Sequence, residues 1–209
     1  MDKKAVDYSL YLVTDRELLG NKDLAATVEE AIKGGATLVQ IREKNVSTLD
    51  FFELALVVKH ITGKYKVPFI INDRIDIALA IDADGVHIGQ EDMPLAVARK
   101  LLGPTKIIGV SASTLEEAVK AQDEGADYLG VGAVFPTRTK SDADHVSLAA
   151  FRRIKEGVSV PVVAIGGIQK NNIQHVMEAG ADGAAVVSAI IASADPYQAA
   201  CNLRHIIKK

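Results

Sequence analysis

Tryptophan is absent, a single cysteine stands at position 201, 5% of the 209 residues are aromatic, and neither sign of charge dominates. Each shortage removes a class of function. With 24 basic against 27 acidic residues and a net charge of -3, the chain has no basic field for a phosphate backbone and few rings on which bases could stack. Nucleic acid is therefore not an expected partner. One cysteine closes no disulfide within the chain, and Cys201 belongs to no set of Cys and His residues resembling a zinc site. It reads as a small apolar residue in a protein of a reducing compartment, the cytoplasm. No segment approaches the roughly 20 apolar residues of a spanning helix, and the longest run, Ala184 to Ala194, is broken by Ser188 and Ser193. No membrane association is expected. Met1 to Asp7 leads directly into the strand-like Tyr8 to Val13, without an apolar signal region.

What is present is apolar patterning: 48% of the residues are hydrophobic, enough to bury a large core in one domain, 1–209. One phrase recurs: an amphipathic stretch ends in Gly or a polar residue, Ala-Asp or Ala-Thr follows, and a β-branched run begins. It occurs as Gly34-Gly35-Ala36-Thr37, Asp82-Ala83-Asp84-Gly85, Gly125-Ala126-Asp127-Tyr128 and Gly180-Ala181-Asp182-Gly183. Glycine past a helix end supplies a left-handed cap, so each copy reads as a helix-to-strand junction.

Apolar runs predict eight strands near 9–14, 38–42, 68–72, 85–88, 107–111, 128–132, 162–165 and 183–187. Helical patterns near 23–34, 48–63, 74–80, 93–102, 114–124, 147–156, 170–179 and 195–207 alternate with them. Eight such pairs point to an α/β fold, a single (β/α)8 TIM barrel. The alternative, an open doubly wound sheet, would not need eight strands in so short a chain. Homo-oligomerisation stays open.

A barrel places functional groups at the carboxyl ends of its strands, and ionic clusters follow three of these runs: Gln40-Ile41-Arg42-Glu43-Lys44, Asn72-Asp73 and Thr137-Arg138-Thr139-Lys140. Period-two alternation turns Gln40, Arg42 and Lys44 one way and Val39 and Ile41 the other. Asp73 and Asp92, after the third and fourth strands, would meet at the mouth, and two carboxylates beside a polyphosphate suit Mg2+. Each also has a plainer reading as a helix cap, Asp92 ahead of Met93-Pro94. Arg42, Lys44 and Lys140 could neutralise a departing diphosphate and Ser111 could donate to it. No base for a nucleophilic serine is visible, and Ser111 also reads as part of a helix start shared with Ser113. Gly166-Gly167 and Val187-Ser188, after strands seven and eight, suggest a second anion site. The polar stretch Thr137 to His145 has the character of a lid. His87, inside a strand, reads more simply as a satisfied core histidine than as an acid or base.

Taken in order, Tyr11-Leu12-Val13-Thr14-Asp15, Gln40 to Lys44, Ile71-Asn72-Asp73, Asp84 to Asp92, Gly109-Val110-Ser111, Phe135 to Lys140 and Ala164 to Ile168 span nearly the whole chain. The set resembles the thiamine phosphate synthase (thiamine-phosphate pyrophosphorylase) family. That resemblance implies a TIM-barrel transferase joining hydroxymethylpyrimidine diphosphate to hydroxyethylthiazole phosphate with magnesium. It further implies that Gln40, Ile41, Arg42, Glu43, Lys44, Asn72, Ser111 and Lys140 hold the pyrimidine substrate, and that Asp73 and Asp92 hold the metal. Thr137, Arg138, Thr139, Gly167, Val187 and Ser188 would hold the thiazole phosphate. Ala133 departs from the family, which more often has Pro there. Two rivals share the fold: a thiazole tautomerase-like paralogue, which would need a proton shuttle, and a non-catalytic sensor of phosphate ligands.

Overall fold

A computed structural model describes residues 3–137 and 145–208. Eight parallel strands close a barrel in sequence order: β1 (Leu10–Val13), β2 (Leu38–Ile41), β3 (Phe69–Asn72), β4 (Gly85–Ile88), β5 (Ile107–Ala112), β6 (Tyr128–Val131), β7 (Val162–Ile165) and β8 (Gly183–Val186). All lie within two residues of the expected runs. The eight expected helices are α2 (Leu24–Lys33), α3 (Thr48–Tyr65), α4 (Ile75–Ala80), α5 (Leu95–Leu102), α6 (Leu115–Asp123), α7 (Leu148–Gly157), α8 (Ile173–Glu178) and α10 (Pro196–Ile207). Two further helices, α1 (Arg16–Leu19) and α9 (Ser188–Ile191), follow β1 and β8 at the rim. Four residues are too few to show a helical period, which is why patterning missed them. No helix of the described residues is long and apolar enough to cross a membrane.

Alternation along the strands sorts the core into two shells. Val39 and Ile41 face outward and join Phe51, Val58, Phe151 and Ile173 beneath the helices. Leu38, Ile70, Ile107 and Val163 face inward with Tyr8, Tyr11 and Tyr128. Room for the inner rings comes from glycine: a Cβ on Gly109 would stand 2.1 Å from the Tyr128 ring, and one on Gly130 2.9 Å from His87.

The recurring phrase has a physical cause at the end of the barrel where strands begin. A residue of positive φ (Gly35, Asp82, Gly125, Gly180) ends each helix. Its N–H and that of the following Ala36, Ala83, Ala126 or Ala181 bond back to carbonyls of the last turn, the paired pattern of a Schellman cap. The next side chain then reaches sideways. Asp84 accepts from the Phe69 N–H at 2.8 Å, Asp127 from Ile108 at 2.8 Å, Asp182 from Val162 at 2.6 Å, and Thr37 Oγ1 from Leu10 at 3.1 Å. Each even strand is thus tied at its start to the odd strand before it.

Candidate active site at the carboxyl rim

Two ion pairs bind the loop after β1 to the loop after β2. Asp15 caps α1, its Oδ1 accepting from the Leu18 N–H at 3.0 Å, while Oδ2 lies 3.8 Å from Arg42 Nη1. Arg16 Nε donates to Glu43 Oε2 at 2.9 Å. Thr14 Oγ1, buried, accepts from the Arg42 N–H at 3.1 Å. Arg42 is therefore held at the rim by backbone and side chain together. The Glu43 side chain is only 2% exposed and its carboxylate is committed to Arg16, with Oε1 lacking a partner among the described residues. Ile41 is fully buried in the outer shell, so any part it takes in the site is through its backbone.

Lys44 crosses to the next strand end and pairs with Asp73 Oδ2. Asp73 holds φ at +59°, a left-handed conformation costly for most residues but tolerated by Asp, and its N–H donates to the His87 carbonyl at 2.8 Å. That turn aims the carboxylate at Asp92. Burial first, then contact with the neighbouring Asp92 carboxylate, raises the Asp73 carboxyl above its ordinary range despite Lys44. For Asp92 burial is the largest influence and acts upward. It is outweighed by the contact with Asp73, by the Gly89 N–H and by the charge of Lys44, so its carboxyl is lowered. The two carboxyls thus form a coupled acidic pair in which Asp73 is the harder to ionise.

Neither acid is a helix cap. The caps of α4 and α5 are Arg74 and Pro94, without side-chain cap bonds. Asp92 instead closes its own turn, Oδ2 accepting from the Gly89 N–H at 2.7 Å. The capping alternative for both residues falls, because each helix begins later than its acid. Among the described residues no cluster of three or more His, Cys, Asp or Glu could hold a metal. A pair of carboxylates does suit magnesium, which needs only one or two protein oxygens when phosphates and water complete its shell.

Ser111, in β5, meets His87 Nε2 at 3.0 Å, and Gln90 Nε2 fixes its carbonyl at 2.6 Å. The helix-start alternative belongs to Ser113 and Thr114: Thr114 caps α6 in a reciprocal box with Glu117, leaving Ser111 facing inward. Asn72 and Gln40 are buried at the inner ends of β3 and β2.

Opposite this cluster lies the second group. The backbone after β6 runs beside the loop after β7, with the Val134 and Phe135 N–H groups donating to Ile165 and Gly166 at 2.9 and 3.1 Å. The peptide bond between Gly132 and Ala133 is cis. Gly167 has φ +62° and a Cβ there would sit 2.4 Å from the Pro136 carbonyl, so only glycine fits. Thr137 follows directly. Asn172 ties this loop, its Nδ2 donating to the Gly167 carbonyl at 3.0 Å and its Oδ1 accepting from the Gln169 N–H at 2.7 Å. Gln169 Nε2 donates to Ser188 Oγ at 2.7 Å, and Val187 with Ser188 opens α9. Arg138, Thr139 and Lys140 lie outside the described residues, as does most of the expected lid.

This geometry belongs with a known family, for residues 10–190 match the model of thiamine monophosphate synthase. The chain belongs to the thiamine monophosphate synthase family. Its similarity to members is close over full length. It is 59% identical to the thiamine-phosphate synthase of Clostridium acetobutylicum across 99% of this chain and 98% of that protein. For the thiamine-phosphate synthase of Alkaliphilus oremlandii the identity is 56%, across 97% of each. The solved thiamine phosphate pyrophosphorylase of Pyrococcus furiosus superposes with a TM-score of 0.90 at 45% identity, covering 97% of this chain and 96% of that one. Thiamine-phosphate synthases are transferases, and the enzyme reading of the sequence accords with membership.

The sequence reading gave no site role to Asp15, Arg16, Tyr11, Tyr128 or Gln169, although Tyr11 and Asp15 stand in one of its motifs. Asp15 and Arg16 sat in a short helix with no period, and the tyrosines looked like ordinary apolar strand residues. Gln169 carried no signal at all. Its position became functional only when the loop folded against Ser188.

Proposed function

We propose that this chain joins 4-amino-2-methyl-5-(diphosphooxymethyl)pyrimidine to 4-methyl-5-(2-phosphooxyethyl)thiazole, giving thiamine phosphate and diphosphate. The observation that carries the reading is the pairing of Lys44, Asp73 and Asp92 at one side of the barrel mouth in a member of this family, opposite a loop shaped by Gly167 and Ser188. Asp73 and Asp92 would hold Mg2+, whose charge would favour departure of the diphosphate.

The aminopyrimidine ring can spread positive charge from its methylene as the carbon–oxygen bond breaks. The thiazole nitrogen then attacks with a lone pair that bears no proton, so no side chain has to remove one. The protein's contribution is placement and charge. Arg42, Lys44, Ser111 and Lys140 act on the leaving group, while Gln40, Asn72 and the backbone of Ile41 to Glu43 line the pyrimidine end. Thr137, Arg138, Thr139, Gly167, Val187 and Ser188 receive the thiazole phosphate. The substrates are small molecules, and the reaction is placed in the cytoplasm.

Incubating the purified chain with both substrates and magnesium, and following diphosphate and thiamine phosphate, tests this. Release of both products only when both substrates are present is the expected result. Isomerisation of a thiazole phosphate without diphosphate, or binding without turnover, would overturn the reading in favour of a tautomerase or a sensor.

A further inference from the structure

Five side chains form one line of hydrogen bonds through the barrel interior. Gln40 Nε2 donates to Tyr11 Oη at 2.6 Å, Tyr11 Oη meets Tyr128 Oη at 2.8 Å, Tyr128 Oη meets His87 Nδ1 at 2.9 Å, and His87 Nε2 meets Ser111 Oγ at 3.0 Å. Tyr11 is 2% exposed, Tyr128 0% and His87 9%. The line was made room for: Gly109 and Gly130 are the positions where any Cβ would strike Tyr128 or His87. Its two ends, Gln40 and Ser111, are residues assigned above to the pyrimidine diphosphate.

Such a line has a direction, because each hydroxyl carries one proton. Burial raises both tyrosines above their ordinary pKa, so both remain protonated. An amide nitrogen only donates. Tyr11 Oη therefore accepts from Gln40 and must place its own proton on Tyr128, its one other hydrogen-bond partner among the described residues. Tyr128 then directs its proton to His87 Nδ1, which must be bare, and the imidazole proton resides on Nε2. Run the other way, the line would bury the Tyr11 proton without an acceptor, which a fully desolvated hydroxyl does not tolerate cheaply.

We propose that Tyr11, Tyr128 and His87 are positioning residues that hold His87 as the neutral Nε2–H tautomer, so that Ser111 Oγ accepts from the imidazole and turns its own proton outward to the substrate's diphosphate. The inference rests on the function proposed above for what Ser111 binds. The polarity of the line does not.

The test uses the tautomer itself. The other four of the five histidines, His60, His145, His175 and His205, are exposed, so replacing them with Gln leaves His87 as the sole imidazole signal. In mildly alkaline solution without ligand, two-bond proton–nitrogen NMR should show Nδ1 bare and Nε2 protonated. Protonation at Nδ1 would overturn the proposal. Tyr128→Phe keeps the ring and deletes the relay. It should mix the tautomers and raise KM for the pyrimidine diphosphate roughly tenfold, leaving KM for the thiazole phosphate unmoved. Ser111→Ala should then cost less in that background than in the native chain, whereas additive losses, or equal losses for both substrates, would reduce Tyr128 to a packing role. Should Tyr128→Phe fail to fold, Tyr11→Phe carries the same expectations. A native chain with the Nε2–H tautomer and no synthase activity would strike the proposed function alone, and an active chain with Nδ1–H would strike the line alone.

Discussion

Replacing Asp73 with Asn probes the acidic pair most directly. In the metal-free protein burial and Asp92 raise the Asp73 carboxyl, because ionising both acids would bring two negative charges together. At about 4 Å and an effective dielectric near 20 that repulsion is on the order of 4 kcal/mol, and the single Lys44 cation lowers both acids without removing their competition. Magnesium binds ionised oxygens, so at a pH below the raised Asp73 pKa its binding must expel a proton. Below the raised pKa the native chain should release up to about one proton per ion, and apparent affinity should climb roughly tenfold per pH unit, levelling off above it. The signs for stability follow separately. A raised Asp73 contributes stability that is fully present below its unfolded pKa and lost as pH rises through the folded one. The lowered Asp92 contributes stability present above its unfolded pKa and lost as pH falls through its folded value. Calorimetric titration of magnesium in two buffers of different ionisation enthalpy counts the protons. Asp73→Asn should abolish the release, flatten the pH slope and weaken binding about 10- to 100-fold at neutral pH. Proton release that persists in the variant, or that is missing from the native chain, would refute the shared-proton argument.

Two further outcomes are expected. Ser188→Ala removes a hydroxyl whose oxygen already accepts from Gln169, leaving its proton for a phosphate. Thiazole phosphate binding should weaken by about tenfold or more with little change for the pyrimidine diphosphate, and equal effects in separate titrations would argue against two anion sites. Asp127→Ala removes the acceptor of the Ile108 N–H and the partner of Arg99 and Lys3. The loss should be about 2–4 kcal/mol, or roughly 5–15 °C in Tm for a chain of this size, with turnover intact below the transition. A lowered kcat at unchanged Tm would contradict a purely structural role.

How much of this was legible beforehand depends on whether the signal is local. Strand alternation placed Gln40 inward and Ile41 outward before any coordinates, and the Ala-Asp phrase announced the junctions, since both are governed by neighbours along the chain. The bonding partners were not legible. Nothing near Tyr11 announces Tyr128, 117 positions away, and nothing near Arg16 announces Glu43. Those pairings are products of barrel closure, which brings residues together without regard to spacing in sequence. The capping alternative for Asp73 and Asp92 failed for the opposite reason: local propensity was read correctly, but a left-handed turn at Asp73 diverted the carboxylate before the helix began.

The sideways ties from Thr37, Asp84, Asp127 and Asp182 join β1 to β2, β3 to β4, β5 to β6 and β7 to β8; among the described residues no side chain accepts a strand N–H in this way between β2 and β3, β4 and β5 or β6 and β7, although Lys106 ahead of β5 donates to the Ala83 carbonyl ahead of β4 at 2.6 Å. The barrel is therefore quartered, with natural seams in the connections leading into β3, β5 and β7. Because Arg204 near one terminus pairs with Asp7 near the other, the two ends of the chain already lie together. A rearranged gene that opened the circle at a seam and fused the old ends would leave each of these four ties inside its own quarter.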